Sequence, residues 1–301
     1  MLAGRAGNIP LVLWESARNL GIVRKEAPPT ADTNAGRGGA GDVAIDIGSF
    51  VALGDSFTEG LDDPRADQTG YRGWADRLAE KLAADRPGLR YANLAVRGKV
   101  LRQVAEEQVP QAIAMAPDLV SLAAGGNDML RPRTDPDALA GLFDEVARTL
   151  LMAGCQVLVF TGFDPRFPVL RLIRGKVAAY NMHLRAIADR HRCPVVDMWG
   201  MHALRDPRAW SADRLHLTPD AHERVALRAC EVLGVPVTAD WREPWPVAEG
   251  LTSSGARAWV AARRMDLQWG RAHAAPWVAR QVRGVSTGDG LTAKRPELRP
   301  L

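Results

Sequence analysis

The 301-residue chain is 47% hydrophobic and 25% charged, the make-up of a globular protein long enough for one generous α/β domain or two small ones. Its formal charge of +4 is too small to argue for a nucleic-acid partner, and it is unevenly spread: residues 251–301 hold nine Lys/Arg against three Asp/Glu, so the basic character belongs to the tail. Cys155, Cys193 and Cys230 are too widely spaced for a disulfide framework or a metal pair and read as buried thiols in a reducing compartment.

No apolar stretch approaches a membrane span. The short run Ile9–Trp14 meets Glu15 at once and makes a poor signal core, so a cytoplasmic location is expected. Residues 1–47, rich in Gly, Ala, Arg and Pro, lack sustained periodicity and read as a disordered leader. Within them Gly36–Gly41 satisfies G-x-G-x-x-G, but no strand precedes it and no helix is signalled after it, so the context of a dinucleotide site is absent.

From residue 48 the pattern becomes regular. Apolar runs at Phe50–Leu53, Tyr91–Leu94, Leu119–Leu122, Gln156–Phe160 and Val195–Val196 predict five buried strands. Helices are expected between them. Trp74, Leu78 and Leu82 share one face, and a second helix spans Leu101–Met115. A third opens at Asp135-Pro136 and runs to Ala153, and a fourth covers Leu170–Arg190. A fifth opens with Thr218 as cap and Pro219, ending at Leu233 before Gly234. This alternation predicts a parallel sheet covered on both faces, a three-layer α/β/α domain over 48–235. Five tryptophans lie between Trp241 and Trp277. The spacing of Trp259, Ala262, Met265 and Trp269 suits a docked helical extension over 236–285, followed by a flexible basic tail over 286–301.

Ligands of open α/β sheets bind at the carboxyl ends of the strands. The first strand ends at Gly54-Asp55-Ser56, the second at "NLAVRG" with Gly98, and the third at "GGND" with Asn127. A loop after the fifth carries Asp213 and His216. A hydroxyl, a base, an orienting acid and three candidate oxyanion donors (the Ser56 and Gly98 amides and the Asn127 side chain) are what acyl transfer through serine requires. Taken alone, Ser56 is better read as a helix cap than as a nucleophile. Gly98 also suits a turn, and Asn127 an Asx turn. The other blocks tip the reading to chemistry. Among the remaining histidines, His202 is the nearest rival base. His183 and His191 lie on a helix, and His222 has no metal spacing to His216. Asp55 and Asp128 read as acceptors of loop N–H groups, and Arg97 and Lys99 as a solvated face rather than an anion site.

Together these four blocks resemble the SGNH, or GDSL-type, esterase/lipase family, whose name-giving residues correspond to Ser56, Gly98, Asn127 and His216. The resemblance covers about residues 48–235. It implies a flavodoxin-like fold with a five-stranded parallel sheet and ester or thioester hydrolysis through an acyl-serine. It also implies Asp213 as partner of His216, a small-molecule ester substrate, and no metal or organic cofactor. Thr58 stands where G-x-S-x-G would place its last glycine, which argues against the nucleophile elbow of the α/β-hydrolases. The Trp-rich C-terminal region is similar to the extension of actinobacterial members. Alternatives left open are an acyltransferase or thioesterase acting on carrier-bound acyl groups and a non-catalytic binding module. Specificity is expected from loops 61–70, 129–135, 161–170 and 198–212.

Overall fold

The computed structural model describes residues 47–167, 170–246 and 288–301. The expected leader, the Gly36–Gly41 motif and the Trp259–Trp269 helix lie outside the described residues.

Five strands form where the apolar runs predict them: β1 (Ser49–Gly54), β2 (Arg90–Asn93), β3 (Leu119–Ala123), β4 (Gln156–Phe160) and β5 (Val195–Val196). They pair in parallel in the order β5-β4-β3-β1-β2, the doubly wound arrangement in which the chain reverses direction across the sheet beside β1. Alternation along the strands divides the core. Val51, Leu53, Val157 and Val159 join the cluster that holds Leu101, Phe143 and Leu184. The opposite face is covered by α2 (Gly73–Asp85), whose Trp74, Leu78 and Leu82 are fully buried, packed against α7 (Pro219–Leu233).

The remaining helices are α1 (Ser56–Glu59), α4 (Gly126–Met129), α5 (Pro136–Met152) and α6 (Arg174–His191), the last preceded by a 3₁₀ turn, Leu170–Ile173. The helix expected over Leu101–Met115, α3, is interrupted. It runs as α-helix over Leu101–Gln103, as a π turn over Val104–Gln108, and as α-helix again over Val109–Met115. Pro110 explains the change, because it has no N–H to offer the Glu106 carbonyl and its ring would press on it. At α7, Thr218 precedes Pro219 as expected, yet its hydroxyl donates to the Arg208 carbonyl at 3.1 Å instead of capping.

The sheet carries one strand more than the sequence suggests. Residues expected to be a flexible tail form β6 (Arg295–Pro300), antiparallel to β2 at the sheet edge. Its two prolines and alternating charges hide the strand pattern, and an edge is the place in a sheet that tolerates proline. The approach to β6 is anchored by Lys294. Its largely buried ammonium donates to the carbonyls of Glu59, Tyr71 and Arg72 at 2.7, 3.1 and 2.8 Å and lies 3.0 Å from Asp76 Oδ1. Asp76 in turn accepts from the Tyr91 hydroxyl at 2.7 Å. Among the described residues, no helix is long and apolar enough to cross a membrane.

Candidate active site

The carboxyl ends of β1 and β3 meet at the point where strand order reverses, and the site is built there. β1 must end closely packed. A Cβ on Gly54 would lie 2.5 Å from the Ala123 carbonyl and 2.6 Å from Thr58 Oγ1, so the residue after Leu53 can only be glycine. Both main-chain groups of Gly54 are taken by one side chain: its N–H donates to Gln108 Oε1 and its carbonyl accepts from Gln108 Nε2, each at 2.9 Å and buried.

Asp55 then caps α1, accepting the Phe57 N–H at 3.1 Å. That settles the ambiguity at "GDS". The cap is Asp55, and Ser56 is the first helical residue with its hydroxyl free of the helix. Ser56 Oγ lies 3.0 Å from His216 Nε2, and His216 Nδ1 lies 2.5 Å from Asp213 Oδ2. Asp213 Oδ1 accepts from the Leu215 and His216 backbone N–H groups at 2.9 and 3.0 Å, so the acid orients the ring and holds its own loop.

Electrostatics follow from this chain of contacts. Burial disfavours a charged His216, but the hydrogen bond and charge of Asp213, with further negative charge from Asp62 and Asp55, outweigh it and raise the imidazole pKa above its ordinary value. Asp213 is displaced the other way, its burial overcome by His216 and the two backbone donors. Asp55 is pushed up by burial to about 6. Asp62, held at a φ of 67°, lies with Asp213 and His216 such that their ligand atoms are within 4.8 Å of one another. It went unnoticed in the sequence because it follows the helix in an unpatterned loop.

Gly98 adopts a φ of 77°, where a side chain would be strained. Among the described residues no acceptor takes the Ser56 or Gly98 backbone N–H. The two are tied together. Glu59, the last residue of α1, accepts from the Arg97 backbone N–H at 2.8 Å and pairs with its guanidinium. Arg97 and Lys99, expected as a solvated face, are half-buried and paired, Lys99 with Glu107 at 2.6 Å. Asn127 stands beside them, with both amide hydrogens engaged: Nδ2 donates to Asp55 Oδ2 at 3.0 Å and to the Lys99 carbonyl at 2.9 Å. Asp128 accepts the Leu101 N–H at 2.9 Å, the loop-holding role expected of it.

The other histidines stand outside this relay. His183 and His191 pair with Asp137 and Asp144 on α5, and His202 sits on a separate 3₁₀ turn. His222 is buried and neutral, its pKa lowered by burial to about 4, and it accepts the Trp74 N–H beneath Phe57. The three cysteines are buried, and burial raises each thiol, Cys155 and Cys193 to about 11 and Cys230 to about 12.

In front of Ser56 opens a cavity of about 520 Å³. The loops expected to set specificity supply much of its lining through Leu61, Met129, Phe163, Leu204 and Trp210. One face of α6, not among the loops expected to set specificity, adds Val177, Tyr180 and Leu184.

No curated protein matches the chain. Solved structures resemble it in fold. LAE5, an α/β hydrolase enzyme from the metagenome of Lake Arreo, Spain, is 22% identical with a TM-score of 0.55, covering 64% of this chain and 97% of that one. Axe2, an acetylxylan esterase from Geobacillus stearothermophilus, is 19% identical with a TM-score of 0.55, covering 66% and 99%. TesA is 22% identical with a TM-score of 0.53, covering 62% and 97%. The family model of the GDSL-like lipases/acylhydrolases matches residues 52–224, more than half of the chain and a span that contains Ser56, Gly98, Asn127, Asp213 and His216, and the protein belongs to that family of ester hydrolases.

Proposed function

We propose that the protein hydrolyses carboxylic esters through an acyl-Ser56 intermediate, in a catalytic unit made of residues 48–235 together with the returning segment 288–301. The observation that carries this reading is the continuous relay Ser56 Oγ–His216 Nε2, His216 Nδ1–Asp213 Oδ2. His216 takes the hydroxyl proton as Ser56 Oγ bonds to the ester carbonyl carbon. Asp213 stabilises the imidazolium and keeps Nε2 facing the serine. The negative oxygen of the tetrahedral intermediate is received by the Ser56 and Gly98 N–H groups. Asn127 joins them by turning one amide hydrogen away from the Lys99 carbonyl. Collapse breaks the bond to the alcohol, which leaves with the proton from His216. Water, deprotonated by the same imidazole, then adds to the acyl-enzyme, and its collapse releases the carboxylic acid and restores Ser56–OH.

Ser56→Ala tests the scheme. Turnover of p-nitrophenyl acetate is expected to fall by about 10⁴-fold or more, and covalent labelling by a fluorophosphonate probe is expected to vanish. A variant that still labels and still turns over the ester would overturn the assignment.

A further inference from the structure

Resting on that reading of Ser56, we infer that the acyl group cleaved is a medium-length alkyl chain rather than an acetyl group, and that it lies along α6. The cavity that begins at Ser56 and His216 has a volume of about 520 Å³, within the span of about 300–1,000 Å³ that encloses a drug-sized ligand and far beyond what a methyl group requires.

The charged residues on its lining, Asp55, Arg97 and Asp213, stand beside Ser56, Gly98 and His216. The rest of the lining is mostly carbon. Val177, Tyr180 and Leu184 lie three and four residues apart on α6 and present one stripe about 10 Å long at 1.5 Å per residue. Met129 and Leu170 stand on the lining with them and are likewise buried.

The few polar atoms in this wall already have partners. The Tyr180 hydroxyl donates to the Ala124 carbonyl at 3.3 Å, and the Thr161 hydroxyl donates to Asp197 Oδ1 at 3.0 Å. Among the described residues, Tyr180 and Thr161 keep no unpaired side-chain hydrogen for the hydroxyls of a sugar, and a polar ligand would lose its water without replacement. An alkyl chain loses nothing by the transfer and is favoured by it. The carbonyl carbon must sit at Ser56 with its oxygen toward the Ser56 and Gly98 amides. The acyl chain then runs from that carbon into the apolar pocket, and the alcohol is left on the side of the charged residues around Ser56 and His216.

A series of p-nitrophenyl esters from acetate through butyrate, hexanoate, octanoate and decanoate tests this directly. For the purified full chain, kcat/KM is expected to rise about fourfold for each methylene that enters the pocket and to stop rising once the pocket is full. Val177→Phe shortens the stripe, and the octanoate-to-acetate ratio of kcat/KM is expected to fall at least about tenfold as several methylenes lose their place. Ile173→Trp, at the half-exposed approach to the same stripe, is expected to move the ratio in the same direction should the first variant fail to fold.

A parent enzyme fastest on acetate, or a ratio unmoved by either folded variant, would overturn the inference while leaving Ser56 chemistry intact. Absence of turnover on every ester together with absence of fluorophosphonate labelling would instead overturn the hydrolase reading on which it rests.

Discussion

The turn that carries Ser56 and the loop that carries His216 are held in opposite ways. The His216 loop holds itself. Between Trp210 and Leu217 an isolated bridge closes its ends, Ser211 N–H donates to the His216 carbonyl at 2.9 Å, and Asp213 accepts two backbone donors of the same loop. The Ser56 turn is held from afar. Gln108 reaches Gly54 across 54 residues, Asn127 reaches Asp55 across 72, and Arg97 reaches Glu59 across 38. The Asp213–His216 half of the site is thus a local unit, whereas the Ser56 turn and the Gly98 loop beside it are held only by the complete sheet. A defect in the first half should stay chemical. One in the second should mix stability with rate.

Among variants that keep Ser56, the largest expected effect comes from the self-contained half. Asp213→Asn keeps an oxygen for the Leu215 and His216 N–H groups but removes the charge facing the imidazole. kcat is expected to fall by about 10³–10⁴-fold with the melting temperature nearly unchanged. The sign on pH follows from the balance at His216. Asp213 is the main influence opposing burial and raising the imidazole pKa. Without it, burial dominates, the pKa drops, and the acid limb of the kcat/KM profile moves to lower pH. An acid limb that stays in place would show that another charge, with Asp62 the first candidate, sets the titration.

The remote half is tested by Gln108→Leu. It leaves the buried N–H and carbonyl of Gly54 without partners, which costs about 1–3 kcal/mol per unsatisfied group. Chemical denaturation is expected to show that loss, and kcat is expected to fall about tenfold, a loss of about 1.4 kcal/mol of transition-state stabilisation. Stability lost with kcat intact would mean that Ser56 keeps its place without the clamp, and the contrast between the two halves would then be one of stability alone.

The same contrast decides what the sequence could tell. The strands, the faces of α2 and α7 and the Asp213–His216 pair depend on apolar runs and on spacings of three or four residues, all visible along the chain. The choice between Asp55 and Ser56 as cap was not visible, because either side chain suits the position and only the fold places His216 opposite one of them. Gln108 was hidden for a related reason. In a continuous α-helix it is one more polar residue, and it faces Gly54 from a π turn beside Pro110. The Glu59–Arg97 tie joins residues whose separation carries no periodic meaning. β6 escaped because Arg295–Pro300 places only Leu298 against the core, so it lacks the alternation that marks a strand.

The Lys294 anchor bears on the order in which the molecule acquires structure and activity. Its ammonium joins Glu59, Tyr71 and Arg72 across 222–235 residues, among the least local contacts the chain can make. Contacts of such separation carry the greatest loop-closure entropy and tend to form late. During refolding the sheet and its helices can therefore assemble before the segment leading into β6 locks the end of α1, giving a species that is compact but not yet competent. Stopped-flow refolding is expected to show tryptophan fluorescence recovering ahead of esterase activity, and Lys294→Met is expected to widen that lag and lower final activity about threefold, the smallest of these effects. Coincident recovery of the two signals would mean that the enzyme is active as soon as its core is formed.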